Sequence, residues 1–248
     1  MKKILLMVPC FNEEERLDFS SFSKAREEIL LKGIELTYLF LDDGSSDQTK
    51  NLISNYAQEN QHQAFSSSEN MGKGNIIFKG YQHIRPHLQT VSYDWIGYWD
   101  VDLATPLQEI PQMLLYAQNF GLKNITAIWA SRISRLGSDI QRKMYRHYLG
   151  RVFVTLTSIA LGGTKVYDSQ CGAKLFTPES AEMGFRESFI SRWIFDVEIL
   201  LRLNENQILE YPLSTWSDKP GSKVKIFREI WRVSFDLFKI RKKYKKNL

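Results

Sequence analysis

The chain has 248 residues, 43% hydrophobic and 25% charged, a composition that excludes a disordered segment, a collagen-like rod and a coiled coil. It carries 33 lysine and arginine residues against 28 aspartate and glutamate residues, a net charge of +5. The length allows one large domain or two small ones with a substantial core. Two cysteines, Cys10 and Cys171, form no CxxC or Cys/His zinc pattern, so they exclude a disulfide scaffold and indicate a reducing compartment.

The predicted strands and helices alternate along the first half of the chain. The predicted strands cover residues 3–9, 35–41, 94–99 and 125–130. The predicted helices cover residues 14–33, 48–59 and 74–84, and a further helix begins near Pro106. This order predicts an α/β fold, with a mostly parallel central sheet and helices on both faces.

The positive charge lies at the carboxyl end. Residues 239–248 hold six basic side chains and no acidic one, and subtracting these six from the net +5 leaves the remaining chain at −1. We therefore expect no nucleic-acid partner, because nucleic-acid binders spread basic charge over a whole face. Residues 226–241 place apolar side chains at helical spacing before this basic end. The pattern is typical of an amphipathic helix that lies on an anionic membrane or packs on the core.

No stretch of the sequence predicts a membrane span. The longest stretches free of Asp, Glu, Lys and Arg are residues 110–122 and 152–164, 13 residues each, whereas a span needs roughly 20 apolar residues. The apolar run at residues 4–11 is too short for a signal peptide and indicates a buried strand. We expect a cytoplasmic protein, either free or at the cytoplasmic face of a membrane.

Polar clusters follow three of the predicted strands. In chain order they are Asn12-Glu13, Asp42-Asp43 and Asp100-Val101-Asp102. Ligands of open α/β sheets bind beyond the carboxyl ends of the strands, so we expect these clusters to lie side by side. Their carboxylates repel one another unless a cation or hydrogen-bond donors compensate. A divalent metal or a polyhydroxylated ligand is therefore the predicted occupant.

Two short motifs allow both a structural and a chemical interpretation. The Gly72-Lys73-Gly74 turn is either an ordinary turn before a helix or a phosphate site at a helix N-terminus. Asp100 and Asp102 are either solvated turn residues or ligands for Mg²⁺ or Mn²⁺, which prefer carboxylate oxygens. The dinucleotide fingerprint, the P-loop and the GxSxG elbow are all absent from the sequence.

Taken together, the motifs resemble the family 2 glycosyltransferases, whose GT-A fold is a Rossmann-like nucleotide-sugar domain. The matching motifs are VPCFNEE at residues 8–14, DDGSSDQT at 42–49, NMGKG at 70–74 and DVD at 100–102. Three motifs in the second half are similar to the dolichyl-phosphate β-glucosyltransferase branch of that family. They are DSQCGAKLF at residues 168–176, RWIFDVE at 192–198 and WSDKPGSK at 216–223.

The resemblance implies a role for each matching residue. It implies that the nucleotide-sugar is bound by Pro9, Phe11, Glu13, Asp42, Asp43, Lys73 and Asp100, and that Mg²⁺ or Mn²⁺ is held by Asp100 and Asp102. It implies catalytic roles for Asp102, Arg132, Asp196 and Glu198. The implied ligands of an acceptor phosphate are Arg132, Arg142, Gln170, Lys174, Ser222 and Lys223. Trp193 is expected in the core, and Trp216 in the core or stacked on a sugar.

The implied reaction is an inverting transfer of a sugar, glucose from UDP-glucose, to a polyprenyl or dolichyl phosphate. Residues 1–225 would form the catalytic domain, and residues 226–248 the amphipathic helix and basic tail with peripheral membrane contact. A lipid phosphate is already anionic and needs only positioning, for which arginine is suited, whereas a sugar hydroxyl needs a general base such as Asp196 or Glu198. A family member acting on a glycan or polysaccharide hydroxyl, and a non-catalytic nucleotide-sugar binder, remain as alternatives.

Overall fold

A computed structural model describes the protein at residues 1–119, 124–141, 154–155, 157–158, 163, 166–218 and 226–244. The strands are β1 (Lys2–Cys10), β2 (Ile34–Asp42), β3 (Gln63–Ser66), β4 (Trp95–Trp99), β5 (Ala127–Ser131), β6 (Asp139–Gln141), β7 (Ala173–Phe176), β8 (Ile208–Pro212) and β9 (Thr215–Ser217). The α-helices are α1 (Phe19–Leu30), α2 (Thr49–Glu59), α3 (Lys73–Ile84), α4 (Glu109–Asn119), α5 (Pro178–Gly184), α6 (Phe195–Arg202) and α7 (Ile226–Lys243).

Seven of these strands form one sheet in the order β3-β2-β1-β4-β7-β5-β8. The pairs β1/β2, β1/β4, β2/β3 and β5/β8 are parallel, whereas β7 runs antiparallel to both of its neighbours. Strands β6 and β9 form a separate two-stranded parallel sheet. The mostly parallel sheet is confirmed. Since β2, β1 and β4 are parallel neighbours, their carboxyl ends meet at one edge.

Apolar side chains cover both faces of the sheet. Alternation along β1 sends Ile4, Leu6 and Val8 to one face and Leu5 and Met7 to the other, and all five are fully buried. Helices α1, α2 and α4 cover the first face, and α3, α5 and α6 cover the second. This two-sided burial explains why β1 has a continuous apolar sequence, as parallel strands of α/β proteins do.

Some boundaries differ from the predicted ones for local reasons. Helix α1 begins at Phe19 because the Asp18 side chain caps it by accepting from the Ser21 N–H. The preceding residues form a turn in which the carbonyl of Glu13 accepts from the N–H groups of Arg16 and Leu17. The predicted helix over residues 14–33 was therefore too long at its beginning.

Two tryptophans take different positions. Trp193, expected in the core, is 44% exposed in the turn before α6, so that expectation was wrong. Its backbone N–H donates to the hydroxyl of Ser191, which fixes the turn but leaves the indole at the surface. Trp216 on β9 is buried in the core that covers the first sheet face.

Helix α7 has one packed and one open face. Leu237, Ile240 and Tyr244 pack against Ile194 and Val197 of the α6 region. On the other side Phe235 and Phe238 are 60% and 66% exposed. Within the described residues, no helix combines the length and the apolar character that crossing a bilayer requires.

Candidate active site

A cleft lies at the carboxyl ends of β1, β2 and β4, where the polar clusters were expected to meet. The chain leaves β1 and β2 side by side, and the Asp43 N–H donates to the carbonyl of Cys10 at 2.9 Å. The residues that line the cleft are Pro9, Cys10, Phe11, Glu13, Arg16, Asp43, Lys73, Ile76, Asp100, Val101 and Asp102.

Lys73 and Asp100 form an ion pair at the floor of this cleft. Helix α3 begins at Lys73, and its ammonium nitrogen lies 2.5 Å from Asp100 Oδ1. Burial opposes the charge on Lys73, but the carboxylates of Asp100, Asp196 and Asp102 together outweigh burial and raise the pKa of the lysine. Lys73 therefore stays a cation at neutral pH, at the N-terminus of a helix whose dipole also favours anions.

Asp102 lies beside this pair at the start of the turn that follows β4. Its Oδ1 accepts a hydrogen bond from the Ala104 N–H at 3.0 Å. Burial, and next the negative charge of Asp100, raise the pKa of the Asp102 carboxyl. Two carboxylates that disfavour each other's ionisation gain most from a cation held between them.

The oxygen donors fit a metal that is shared with a ligand. The described residues contain no group of three or more His, Cys, Asp and Glu side chains that would hold an ion by themselves. Mg²⁺ is commonly bound by one or two carboxylates together with the phosphates of a substrate, and Asp100 and Asp102 supply that number. Burial and the charge of Asp100 raise the pKa of Asp102, and a cation bound there would stabilise its ionised form.

The loop before Lys73 is held from below by Asp43. The two carboxylate oxygens of Asp43 accept from the N–H groups of Met71 and Gly72 at 2.7 and 2.8 Å. Asp42 is 1% exposed and accepts from the Ser45 N–H at 3.1 Å, so it supports the turn after β2 and is not among the lining residues. Both aspartates thus hold backbone turns beside the cleft, Asp42 the turn after β2 and Asp43 the loop before Lys73.

Beneath the cleft Lys174 and Asp196 form a buried network. The Lys174 ammonium lies 2.6 Å from Asp196 Oδ1 and donates to the carbonyls of Ser169 and Cys171 at 3.0 and 2.7 Å. The Tyr98 hydroxyl donates to the same carboxylate oxygen of Asp196. Lys174 is 0% exposed and all its donors are used, so it fixes the 169–171 backbone and does not reach the cleft.

A second group of polar residues lies across β7. The Arg132 guanidinium, just after β5, binds both carboxylate oxygens of Asp168 at 2.7 and 2.8 Å, and its backbone N–H adds a third bond at 3.0 Å. The carboxylate of Glu210 accepts from the N–H groups of Tyr167 and Asp168. Trp216 lies under the guanidinium with its ring centre 5.5 Å away. This arrangement fixes the start of the 168–172 loop.

Gly172 joins this loop to the cleft. Its carbonyl accepts from the Asp100 N–H at 2.9 Å, and a Cβ built on Gly172 would lie 1.8 Å from Asp100 Oδ2. Only a residue without a Cβ allows the Asp100 carboxylate its position. The two predicted halves of the site, which the resemblance assigned to donor and acceptor, therefore meet at Asp100.

Comparison with known sequences identifies the family. The profile of Glycosyl transferase family 2 matches residues 6–190, which include all the lining residues of the cleft. The chain belongs to glycosyl transferase family 2. A dolichyl-phosphate beta-glucosyltransferase of Trichomonas vaginalis is 33% identical to it over 247 residues, covering 95% of this chain and 72% of that protein. Proteins of that activity name from Saccharomyces cerevisiae and Homo sapiens are 28% and 27% identical, covering 96% and 98% of this chain and 74% and 76% of theirs.

Solved structures confirm the GT-A fold of this family 2 member. Glucosyl-3-phosphoglycerate synthase from Mycobacterium tuberculosis in complex with UDP matches with a TM-score of 0.66 and 17% identity, over 96% of this chain and 80% of that one. The same enzyme with Mn²⁺, UDP and glucosyl-3-phosphoglycerate gives a TM-score of 0.65 and 18% identity, over 98% and 80%. At this level of identity the likeness concerns the fold alone.

The structure brings most residues expected to bind the donor to one place in this family 2 enzyme. Pro9, Phe11, Glu13, Asp43, Lys73, Asp100 and Asp102 all line the cleft. Asp196 and Glu198, expected as candidate general bases, are 4% and 0% exposed and lie below it. Glu198 accepts from the N–H groups of Ile190 and Ser191, and burial raises its pKa. Arg142, Ser222 and Lys223 lie outside the described residues.

Four lining residues were given no role in the site from the sequence. They are Cys10, Arg16, Ile76 and Val101. Arg16 pairs with Glu13 Oε1 at 2.5 Å, three residues away, and so brings a second cation to the cleft wall. Arg16 was not expected at the cleft because residues 14–33 were interpreted as one helix. In the structure Arg16 belongs to the turn before α1.

Proposed function

We propose that this protein transfers glucose from UDP-glucose to a polyprenyl phosphate such as dolichyl phosphate, with inversion at the anomeric carbon. The observation that carries the proposal is the meeting of Lys73, Asp102 and the 168–172 loop around Asp100. The relatives in three organisms, which are named dolichyl-phosphate beta-glucosyltransferases, supply the donor sugar and the acceptor.

The donor half of the cleft is suited to a nucleoside diphosphate. Lys73 would bind a diphosphate oxygen and remain protonated as the leaving group gains charge, because its pKa is raised. Asp100 and Asp102 would hold Mg²⁺ or Mn²⁺, and a metal bound there would supply neutralisation of the departing diphosphate. Pro9 and Phe11 offer an apolar wall at the end of β1, against which a nucleoside base can lie.

The acceptor half favours an anion over a hydroxyl. An in-line attack by a lipid phosphate needs no proton transfer at neutral pH, since the attacking oxygen is already ionised. Arg132, whose guanidinium lies 5.5 Å from the Trp216 ring centre and binds Asp168, would orient that phosphate, with Gln170 two residues after Asp168 on the 168–172 loop. The burial of Asp196 and Glu198 supports this choice, because neither expected general base lines the cleft.

The decisive experiment is a transfer assay with three acceptors. Purified protein with Mn²⁺ and UDP-glucose labelled in the sugar is offered a polyprenyl phosphate, the corresponding polyprenol, and a free oligosaccharide. We expect label in the organic phase only with the phosphate, and none with the Asp102→Asn variant. Label appearing only on the oligosaccharide would assign the protein to the hydroxyl-acceptor class. Donor binding without any turnover would assign it to the non-catalytic class.

We also propose that α7 brings the enzyme to the cytoplasmic face of a membrane. Phe235 and Phe238 lie on its open face with Lys239 and Lys242, and the helix runs into a basic end. Exposed aromatic rings flanked by lysines suit the interface of an anionic leaflet. A polyprenyl phosphate presents its headgroup in that same plane, so the contact would bring cleft and acceptor together.

A further inference from the structure

The loop of residues 70–72 is clamped from above by an exposed arginine that no part of the reaction described so far uses. Arg192, in the turn before α6, donates from Nη2 to the Asn70 carbonyl at 2.7 Å and to Asn70 Oδ1. Its Nε donates to the Met71 carbonyl at 3.1 Å. One planar guanidinium thus binds two successive carbonyls of the loop, a geometry that lysine cannot reproduce.

The loop is held by two opposite charges, one on its N–H groups and one on its carbonyls. Asp43 binds the N–H groups of Met71 and Gly72, and Arg192 binds the carbonyls of Asn70 and Met71. Gly72 has φ +86°, and a Cβ there would lie 2.6 Å from Arg192 Cβ, so the arginine packs directly on the backbone. Every hydrogen-bonding group of the Met71 backbone is therefore satisfied by a charged side chain.

The next residue along the chain is Lys73, whose ammonium pairs with Asp100. We infer that Arg192 is a positioning residue, which fixes the 70–72 loop and through it holds the Lys73 ammonium beside Asp100, where it would bind the diphosphate. The inference deepens the proposed function, because it assigns a residue outside the cleft to donor binding. Arg192 itself is not among the residues that line the cleft.

The arginine is itself anchored on the far side. The Ser191 N–H donates to the buried carboxylate of Glu198, and the Ser191 hydroxyl donates to Asp236 of α7 at 2.7 Å. The turn that carries Arg192 is thus tied to both α6 and α7. These bonds fix the backbone that carries Arg192, although the arginine side chain is exposed.

The test compares Arg192→Gln, Arg192→Lys and Arg186→Gln in the full chain. Arg186 is the matched control, since it is 49% exposed and its ion pair with Glu187 spans 3.9 Å. We expect Arg192→Gln to weaken UDP binding about tenfold, the scale of a lost hydrogen bond to a charged group, with Arg192→Lys between it and the parent. In ligand-free protein the Met71 and Gly72 amides should exchange hydrogen faster in Arg192→Gln than in the parent or in Arg186→Gln.

A double-mutant cycle separates positioning from general stability. If Arg192 acts through Lys73, then Lys73→Met and Lys73→Met/Arg192→Gln bind UDP equally. An additional loss in the double variant, or parent-like UDP binding by Arg192→Gln, would overturn the inference. Should Arg192→Gln not fold, Asn70→Ala removes one accepting oxygen and takes its place. Failure of the proposed function appears separately, as absence of glucose transfer by the parent protein that still binds UDP.

Discussion

The ammonium of Lys174 lies 2.6 Å from the carboxylate of Asp196, and both side chains are excluded from solvent. The lysine belongs to β7, in the middle of the sheet, and the aspartate to α6, which covers its second face. Their contact therefore joins two layers of the fold, two residues along the chain from Gly172, whose carbonyl accepts from the Asp100 N–H. Once such a pair is buried, the stability of the fold depends on both partners, because either one alone would be an uncompensated buried charge.

Breaking this pair should destabilise the protein strongly. We expect Lys174→Met to lower the free energy of unfolding by about 3–5 kcal/mol, since Asp196 is then buried without its cation. Urea denaturation measures the change. Lys174→Met/Asp196→Leu should recover part of the loss, because both charges are gone. In the exposed pair of Arg85 and Glu182, 53% and 43% exposed, Arg85→Gln should cost at most about 1 kcal/mol. Equal costs at the two pairs would contradict this interpretation.

Gly172→Ala should inactivate the enzyme while leaving it folded. The new Cβ would lie 1.8 Å from Asp100 Oδ2, so the carboxylate must move. A displacement of about 1 Å at a reacting centre lowers rates by roughly 100-fold. Gly184→Ala is the control, because its Cβ meets Ile199 Cγ2 at an ordinary 3.4 Å. Transfer rates and melting temperatures of both variants are compared, and full activity of Gly172→Ala would show that Asp100 tolerates the shift.

Asp102→Asn should abolish metal-dependent donor binding. In the parent protein we expect a chelator to stop transfer and to remove the extra thermal stabilisation that UDP gives with Mn²⁺. The variant should lose transfer on the order of 100-fold or more, the scale of a Lewis acid's contribution. Asp94→Asn is the control at the other end of β4, where the carboxylate accepts from the Lys3 N–H. Transfer by the parent protein that continues in the presence of the chelator would refute the assignment of Asp102 as a metal ligand.

Metal affinity should also fall on mild acidification. Burial and the charge of Asp100 raise the pKa of Asp102, and a ligand carboxylate must be ionised to bind. Mn²⁺ affinity is therefore expected to decline at a higher pH than an ordinary aspartate would cause. Titration of UDP binding with Mn²⁺ at several pH values measures this, and a flat profile down to the usual aspartate pKa would contradict it.

His62 should make stability fall as the pH falls from 6.5 towards 4. It is buried beside Tyr38 and Tyr56, and burial together with Arg26 lowers its pKa from 6.5 to about 4. In that window the unfolded chain binds a proton that the folded protein does not. Stability is therefore retained above 6.5 and falls by up to about 3 kcal/mol towards pH 4.

The comparison of two histidine variants isolates this effect from carboxylates that titrate nearby. His62→Phe should remove the slope, whereas His87→Phe, at an exposed position, should keep it. Urea midpoints at pH 7, 6, 5 and 4 provide the measurement. A slope unchanged in His62→Phe would assign the pH dependence to other groups.

The open face of α7 should bind anionic vesicles. Phe235→Ser and Phe238→Ser are each expected to weaken binding about tenfold, since each ring contributes roughly 1.5–3 kcal/mol when it leaves water. Leu136→Ser is the control, because Leu136 is an exposed apolar side chain outside this helix. Flotation with vesicles containing phosphatidylserine measures binding, and added salt should weaken it through Lys239 and Lys242. Equal losses for Leu136→Ser would make the contact nonspecific.

The elements that form the proposed donor half of the cleft could mostly be predicted from the sequence, whereas those around the proposed acceptor half could not. The reasons are physical. Strands such as β1 are continuous apolar runs that stop at polar residues, so both the strand and its functional end are visible. Strand β3 has four half-buried residues without alternation, and nothing distinguishes it from a loop. The reversed direction of β7 follows from long-range pairing that no local pattern encodes.

The same limit applies to individual polar residues. Asp100 and Asp102 follow a strand, so topology alone places them at the cleft. Asp196 and Glu198 lie on α6, where a buried structural carboxylate and a catalytic one have the same sequence pattern. Their burial under Lys174 and under the 190–191 backbone became apparent only from packing.

The antiparallel direction of β7 brings the two ends of the segment between β5 and β7 to the same edge of the sheet. Because β7 is antiparallel, its beginning lies at the edge where β4 and β5 end, so the polypeptide departs after Ser131 and comes back at Ala173 to the same place. Arg132 and Asp168 fasten the two ends of this excursion together. Of the strands that the structure describes, only β6 lies inside this excursion, and it pairs with β9, so the excursion can be exchanged between enzymes without shifting a strand of the seven-stranded sheet. A segment grafted from a relative in place of residues 133–167 should thus leave nucleotide binding unchanged, because every residue that lines the cleft lies outside the excursion.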